Sequence, residues 1–206
     1  MRKKAIIFDL DNTIYLVSSI GERLFKTLFG MIADSGEYIG SFDALKAEIM
    51  RRPFQYVVAD FGFSDKLKYE CFEHLKNLTY DLPIEPVENY DTTRSIQYTR
   101  FLVTTGFTNL QNSKIDQLGI RNDFEKIVVI DPFETAKTKR DIFKELLIRY
   151  AFKLEEVLVV GDDLNSEIKA AKELGIECVL YDFRSVYSSD EKQTVIRNLS
   201  ELKQYI

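Results

Sequence analysis

Phe8-Asp9-Leu10-Asp11-Asn12-Thr13-Ile14-Tyr15 follows directly on Lys4-Ala5-Ile6-Ile7, and the reading of this junction decides the fold. The run Lys4–Phe8 is short, apolar and rich in β-branched residues, which predicts a strand buried on both faces. Two carboxylates one residue apart end it. An unpaired charge in a dry core is expensive, so Asp9 and Asp11 belong at the carboxyl edge of the strand, where open α/β sheets place ligands. The single intervening residue lets both face one bound cation once the chain turns out of the sheet. Asp9 can then offer a carboxylate oxygen as nucleophile. Asp11 can offer a backbone carbonyl to a metal and a carboxyl group to a leaving group.

Composition narrows the classes of partner. The chain has 206 residues, 45 % of them apolar, enough for a large single core or a core with a modest insertion. A net charge of −5 argues against a nucleic-acid polymer as the main partner. The basic start at Arg2, Lys3 and Lys4 is not followed by an apolar run of signal-peptide length, because Asp9 and Asp11 interrupt it. No stretch approaches the roughly 20 apolar residues of a membrane helix. Cys71 and Cys178 lie far apart and read as reduced, buried thiols, so the expected setting is cytoplasmic, with no membrane.

After Tyr15 the pattern changes to helical spacing. Leu24, Leu28, Met31 and Ile32 mark a helix over 20–34, and Leu45, Ile49 and Met50 another over 42–50 with Ser41 as N-cap. Ser64 opens a third, with Leu67, Cys71, Leu75 and Leu78 on one stripe. Arg51-Arg52-Pro53-Phe54 is a helix break, and Asp81-Leu82-Pro83-Ile84-Glu85-Pro86 a Pro-rich joint. The expected organisation is an α/β core of residues 1–16 and 88–206 with a helical insertion over 17–87. His74 reads as a structural residue of that insertion. Arg51 and Arg52 read as a solvated helix end rather than a substrate clamp. Phe54, Tyr56 and Phe61 are mostly core, with stacking on a base as the alternative.

Beyond the joint, strands over 100–104, 126–130, 156–160 and 177–181 alternate with helices over 107–118, 138–150, 165–174 and about 191–203. That alternation predicts a Rossmann-like parallel sheet with helices on both faces and right-handed crossovers. Three more strand ends carry polar residues. Thr104-Thr105-Gly106 places a hydroxyl and helix-start amides where they would hold a phosphate oxygen. Ala136-Lys137 precedes a helix, and a lysine there can neutralise phosphate and nucleophile charge. Asp162-Asp163, with Glu167 close behind, suits a hard cation such as Mg²⁺. Asp163 as a plain N-cap and Glu167 as a surface helix residue are the alternatives.

In sequence order, FDLDNTIY, FLVTT, AKTKRDIF and VVGDDLNSE resemble the four motifs of the haloacid dehalogenase-like (HAD) hydrolase superfamily. The third departs from the family pattern, with Thr138 where Pro usually follows the Lys, and Lys139 competes with Lys137; the spacing to Phe143 favours Lys137. The fourth has Glu167 where many members have Asp. GFTNLQNSKIDQLGIRNDF resembles the helix after the second motif in nucleotidase-like members, and the helical insertion resembles the cap of that branch. Dehalogenases of the superfamily lack the second Asp, so Asp11 argues for phosphoryl chemistry. The resemblance implies a phosphatase in which Asp9 forms an aspartyl-phosphate and Asp11 shuttles the proton. It also implies that Thr104 and Lys137 hold the phosphoryl group, with Thr105 and Gly106 beside them. Mg²⁺ would sit on Asp9, the Asp11 carbonyl and Asp162, supported by Asp163 and Glu167. The expected substrate is a small phosphorylated metabolite, nucleoside monophosphates leading; sugar phosphates, phosphoglycolate, a phosphomutase reaction or a non-catalytic binding role are the alternatives. The expected state is a monomer or homodimer.

Overall fold

The computed structural model describes residues 3–187 and 193–206. Strand β1 (Ala5–Phe8) is followed by six helices before the next strand: α1 (Val17–Leu24), α2 (Lys26–Ser35), α3 (Phe42–Ile49), α4 (Phe54–Asp60), α5 (Asp65–Asn77) and the short α6 (Tyr90–Arg94). Strands and helices then alternate: β2 (Thr99–Thr105), α7 (Thr108–Gln117), β3 (Lys126–Ile130), α8 (Lys139–Tyr150), β4 (Val157–Gly161), α9 (Glu167–Leu174), β5 (Glu177–Tyr181) and β6 (Thr194–Ile196). The six strands form one sheet in the order β3-β2-β1-β4-β5-β6. Every pairing is parallel.

Period-two alternation along β1 explains why helices cover both faces. Ile6 and Phe8 face one core, together with Leu102, Leu158, Val160 and Val179. Ala5 and Ile7 face the other, with Phe101, Val103, Val159 and Leu180, against Ile142, Phe143 and Leu146 of α8 and Ile168 and Ala171 of α9. The first core runs without interruption into the helical segment, through Leu28, Leu45, Val57, Leu67 and Cys71. Phe72 of α5 meets Phe107 and Phe133 beyond β2 and β3. Both cysteines are free and buried, and burial pushes the Cys71 thiol up to about 12.

Several local expectations differ from the structure. The helix over 20–34 is broken at Phe25, whose φ of −96° and ψ of 11° end α1 before α2 begins. Ser41 occupies an N-cap position without a side-chain bond, whereas Ser64 accepts from the Leu67 amide as a cap should. Helix α4 follows directly on Pro53, a residue preorganised to start a helix as well as end one. The helix expected over about 191–203 is absent from its described part: Thr194-Val195-Ile196 pair with β5, and Leu199–Gln204 is a 3₁₀ turn. β-branched residues beside an open sheet edge favour the strand. Residues 191 and 192 of that expected helix lie outside the described residues. No described helix is long and apolar enough to cross a membrane.

Candidate active site

Strand β1 lies between β2 and β4, so the chain's crossovers leave it toward opposite edges of the sheet. That order creates a crevice at the carboxyl ends of these three strands, the usual ligand position in such sheets. The Asp9 amide still donates to the Val160 carbonyl at 3.0 Å, continuing the ladder one residue past β1. The chain then turns. The Leu10 carbonyl accepts from the Thr13 and Ile14 amides at 3.3 and 2.9 Å. Asn12 adopts a left-handed φ of 58°, a conformation Asn tolerates better than most residues. Its side-chain oxygen accepts from the Val17 amide at 3.1 Å. The turn leaves the Asp9 and Asp11 side chains beside the ends of β2 and β4.

Asp9 and Lys139 form the buried centre of the site. Lys139 Nζ is 2.6 Å from Asp9 Oδ1 and 2.7 Å from Glu167 Oε2. Glu167 is 1 % exposed, and its other oxygen accepts from the Asp163 amide at 2.7 Å. Gly161 makes this possible: a Cβ there would fall 2.2 Å from Glu167 Cγ. Asp9, Asp162 and Glu167 bring carboxylate oxygens within 4.8 Å of one another. Burial pushes Asp9 up to about 7, against the pull of the Lys139 ammonium. Asp162 is also raised well above the usual carboxylate range, by burial first and then by Glu167 and Asp9. Lys139 is raised: its two carboxylate partners outweigh the opposing cost of burial.

This placement corrects the reading of the third strand end. Lys137 precedes the helix and its amide is held by Thr135 Oγ1. Its side chain turns outward to Glu145 Oε1 at 2.7 Å and is about half exposed. Lys139 is the first residue of α8, behind Thr138, which forms a capping box with Asp141. Side chains of a helix's first turn point back toward its N-terminus, and here that direction leads to Asp9. The Thr138-x-x-Asp141 pattern was the available sequence signal for which lysine enters the helix.

Gly106 lines the crevice, but its amide is not free for a phosphate. Its amide donates to the Ile130 carbonyl at 3.0 Å, and the Thr108 amide at the start of α7 donates to Asp131 Oδ2 at 2.8 Å. These two amides are already spent inside the protein. Thr104 is buried at the end of β2, and Thr105 lines the crevice. Asp163 closes a local turn, its carboxylate accepting from the Asn165 amide at 2.8 Å.

Asp11 has three neighbours that spacing alone did not reveal. Lys114 Nζ lies 2.9 Å from its Oδ1, Gln111 Nε2 lies 2.8 Å from its Oδ2, and the Tyr15 hydroxyl donates to Oδ1. Burial pushes Asp11 up, but the Lys114 ammonium and the three hydrogen bonds hold it below the usual carboxylate range. Gln111 and Lys114 sit on the α7 stripe that also carries Leu110 and Ile115. A glutamine and a lysine on a buried stripe were the signal.

A cavity of about 130 Å³ lies between this site and the helical segment. Asp9, Asp11, Thr104, Lys139 and Asp162 line its floor. Val17, Leu28, Ile49, Met50 and Phe54 line the opposite side, with Phe107 and Leu110. Arg51 and Arg52 are at its rim, paired with Glu48 and, for Arg52, Asp60. Tyr56 is exposed.

Comparison with known proteins places the chain in a family. Residues 3–175 match the haloacid dehalogenase-like hydrolase family. The chain is 26 % identical, over 97 % of its length and 95 % of the relative's, to a glyceraldehyde 3-phosphate phosphatase of Methanocaldococcus jannaschii. Among solved structures it resembles the haloacid dehalogenase-like family protein SP0104 from Streptococcus pneumoniae, with a TM-score of 0.72, 18 % identity and 99 % of both chains covered. It also resembles the HAD hydrolase YfnB from Bacillus subtilis bound to magnesium, with a TM-score of 0.67, 18 % identity and 100 % and 99 % covered. A family match over most of the chain, on a parallel sheet whose β1 leads into Asp9 and Asp11, makes this protein a member of the haloacid dehalogenase-like hydrolases.

Proposed function

We propose that the chain is a Mg²⁺-dependent phosphatase of small phosphomonoesters that works through an aspartyl-phosphate on Asp9. The observation that carries this reading is the buried Asp9–Lys139–Glu167 arrangement, with Asp162 beside it at the sheet crevice. Lys139 occupies Asp9 Oδ1, which leaves Oδ2 as the oxygen that attacks phosphorus in line. The ester P–O bond breaks as the Asp9–phosphorus bond forms, and Asp11 gives its proton to the leaving alkoxide. Asp11 is ionised in the resting site; an approaching phosphate dianion raises its pKa, because like charges disfavour the carboxylate form, and Asp11 then takes from solvent the proton it passes to the leaving oxygen. Water then attacks the aspartyl-phosphate, Asp11 takes the water's proton, and the Asp9 carboxylate is restored. Thr104 and Lys139 hold the phosphoryl group, and the helical segment over 17–87 serves as a cap that excludes water.

The donor set suits a hard cation: oxygens only, from carboxylates brought together at two strand ends. Asp9, Asp162 and the Asp11 carbonyl would hold the metal, with Glu167, itself held by Lys139 and the Asp163 amide, supporting them. Bound there, Mg²⁺ screens the repulsion between the nucleophile and the phosphate. The raised carboxyl groups give this a pH signature. In metal-free protein the folded state favours the neutral forms, so their contribution to stability is present at low pH. It is lost as pH rises through about 7 for Asp9, and a cation replaces the lost protons. The Mg²⁺-induced rise in Tm is therefore expected to be larger at pH 8 than at pH 5.5. Thermal melts with and without Mg²⁺ at both values check it; an equal or larger rise at pH 5.5 removes Asp9 and Asp162 as ligands.

A short leaving group is the first reading, because a relative matched over 97 % of this chain acts on a triose phosphate by name. A nucleoside monophosphate is the second reading, favoured by the apolar and aromatic wall of Met50, Phe54 and Phe107. Phosphate release across triose phosphates, phosphoglycolate, hexose phosphates and nucleoside monophosphates, with and without chelator, separates them. The triose-sized esters are expected to give the highest kcat/KM, with turnover lost on chelation. Preference for nucleotides favours the second reading, and turnover that survives exhaustive chelation contradicts the metal.

A further inference from the structure

We propose that Lys114 and Gln111 are positioning residues that set the hydrogen-bond polarity of the site. Lys114 fixes the orientation of the Gln111 amide, and that amide aims the Thr104 hydroxyl proton at the phosphoryl group while holding Asp11 at the leaving oxygen. This inference rests on the phosphatase reading and adds two residues to it.

The argument is one of donors and acceptors. A lysine ammonium has only donors. Lys114 Nζ lies 2.7 Å from the Gln111 side-chain oxygen and 2.9 Å from Asp11 Oδ1. The amide oxygen of Gln111 must face the lysine, so its NH₂ group must face the other way. That NH₂ has two protons, and its two short contacts are to acceptors, Asp11 Oδ2 at 2.8 Å and Thr104 Oγ1 at 2.6 Å, with the Thr105 carbonyl farther off at 3.5 Å. The Thr104 hydroxyl is thus an acceptor toward Gln111. Its own single proton is left for another partner, and among the described residues it is given to no protein acceptor. Thr104 and Asp11 both line the cavity where the ester must sit. Gly106 leaves the room required: a Cβ there would stand 3.0 Å from Gln111 Cγ and Cδ. Lys114 and Gln111 are 3 % and 1 % exposed, and burying a charge and an amide this deeply is costly unless every group is paired. Neither side chain bonds to Asp9 or Asp162, so both act through Thr104 and Asp11.

Two near-isosteric variants test this. Gln111→Glu keeps the shape but, ionised, has no proton to donate. It is expected to lower kcat by about 10²-fold or more, the scale of losing a preorganised donor, for alkyl and p-nitrophenyl phosphates alike. Lys114→Met keeps the stem and frees the Gln111 amide to rotate. Its loss is expected to be several-fold larger for the alkyl ester, whose leaving oxygen depends on Asp11, than for p-nitrophenyl phosphate. In both variants a cooperative melt and a Mg²⁺-induced rise in Tm should persist, which a general loss of packing would not allow. Unaltered kcat in folded Gln111→Glu overturns the proposal. So does an equal loss on both esters in Lys114→Met, and if that variant does not fold, the Gln111→Glu result decides alone. An unaltered protein that turns over no ester removes the phosphatase reading and this one with it; an active protein with silent variants removes only this one.

Discussion

Asp9→Asn is expected to lower kcat by about 10⁵-fold or more, on the scale of deleting a covalent nucleophile. The amide nearly matches the carboxylate in shape, and Lys139 keeps Glu167 as a partner at 2.7 Å, so the fold should persist. The amide cannot attack phosphorus and binds a cation weakly. The variant should therefore lose turnover for every ester, whatever its leaving group, because the first bond-forming step is gone. Steady-state kinetics on p-nitrophenyl phosphate and an alkyl phosphate check this, with the melting curve as the control for folding. A variant with kcat within tenfold of the unaltered protein on either ester would show that another group attacks.

Lys139→Met and Lys137→Met are expected to behave in opposite ways. Lys139 is 8 % exposed and sits between Asp9 and Glu167. Its removal leaves two like charges buried side by side, and breaking a buried pair from one end costs about 3–5 kcal/mol. Activity should fall by about 10²–10³-fold as well, the usual loss for one preorganised charge at a transferring group. Lys137 pairs with Glu145 on the surface, both about half exposed, and such a pair contributes about 0–1 kcal/mol. Its removal should leave kcat/KM nearly unchanged. Melting curves and kcat/KM for the two variants check both; damage confined to Lys137→Met would return the phosphate-facing role to that residue.

The sheet was legible because each strand states its own burial. Ile6-Ile7-Phe8 and Val157-Leu158-Val159-Val160 are continuous apolar runs, and acidic residues stop both at the edge where water and ligands begin. Asp9, Asp11, Thr104, Asp162 and Glu167 follow from that edge, because parallel strands present their carboxyl ends together. What the sequence hid depends on orientation or on distant packing. Lys137 and Lys139 are two residues apart in a polar stretch, and the start of α8 decides which one turns inward. The Gly106 amide looks free until β3 is laid beside β2 and Ile130 takes it. Thr194-Val195-Ile196 reads as part of a helix until an open edge of β5 is there to pair with. Gln111 and Lys114 look like interruptions of an apolar stripe, and only the turn that brings Asp11 against α7 gives them partners.

The most direct test of the central claim is to find the phosphoryl group on the chain. The protein is mixed with an excess of p-nitrophenyl phosphate and Mg²⁺, quenched in acid within milliseconds and reduced with borohydride, which converts an aspartyl-phosphate to homoserine. Peptide mass spectrometry then locates the converted residue. Homoserine at position 9, absent without substrate and absent in Asp9→Asn, is the predicted result. Active, turning-over protein that yields no conversion at position 9, or conversion at a different residue, would contradict the account.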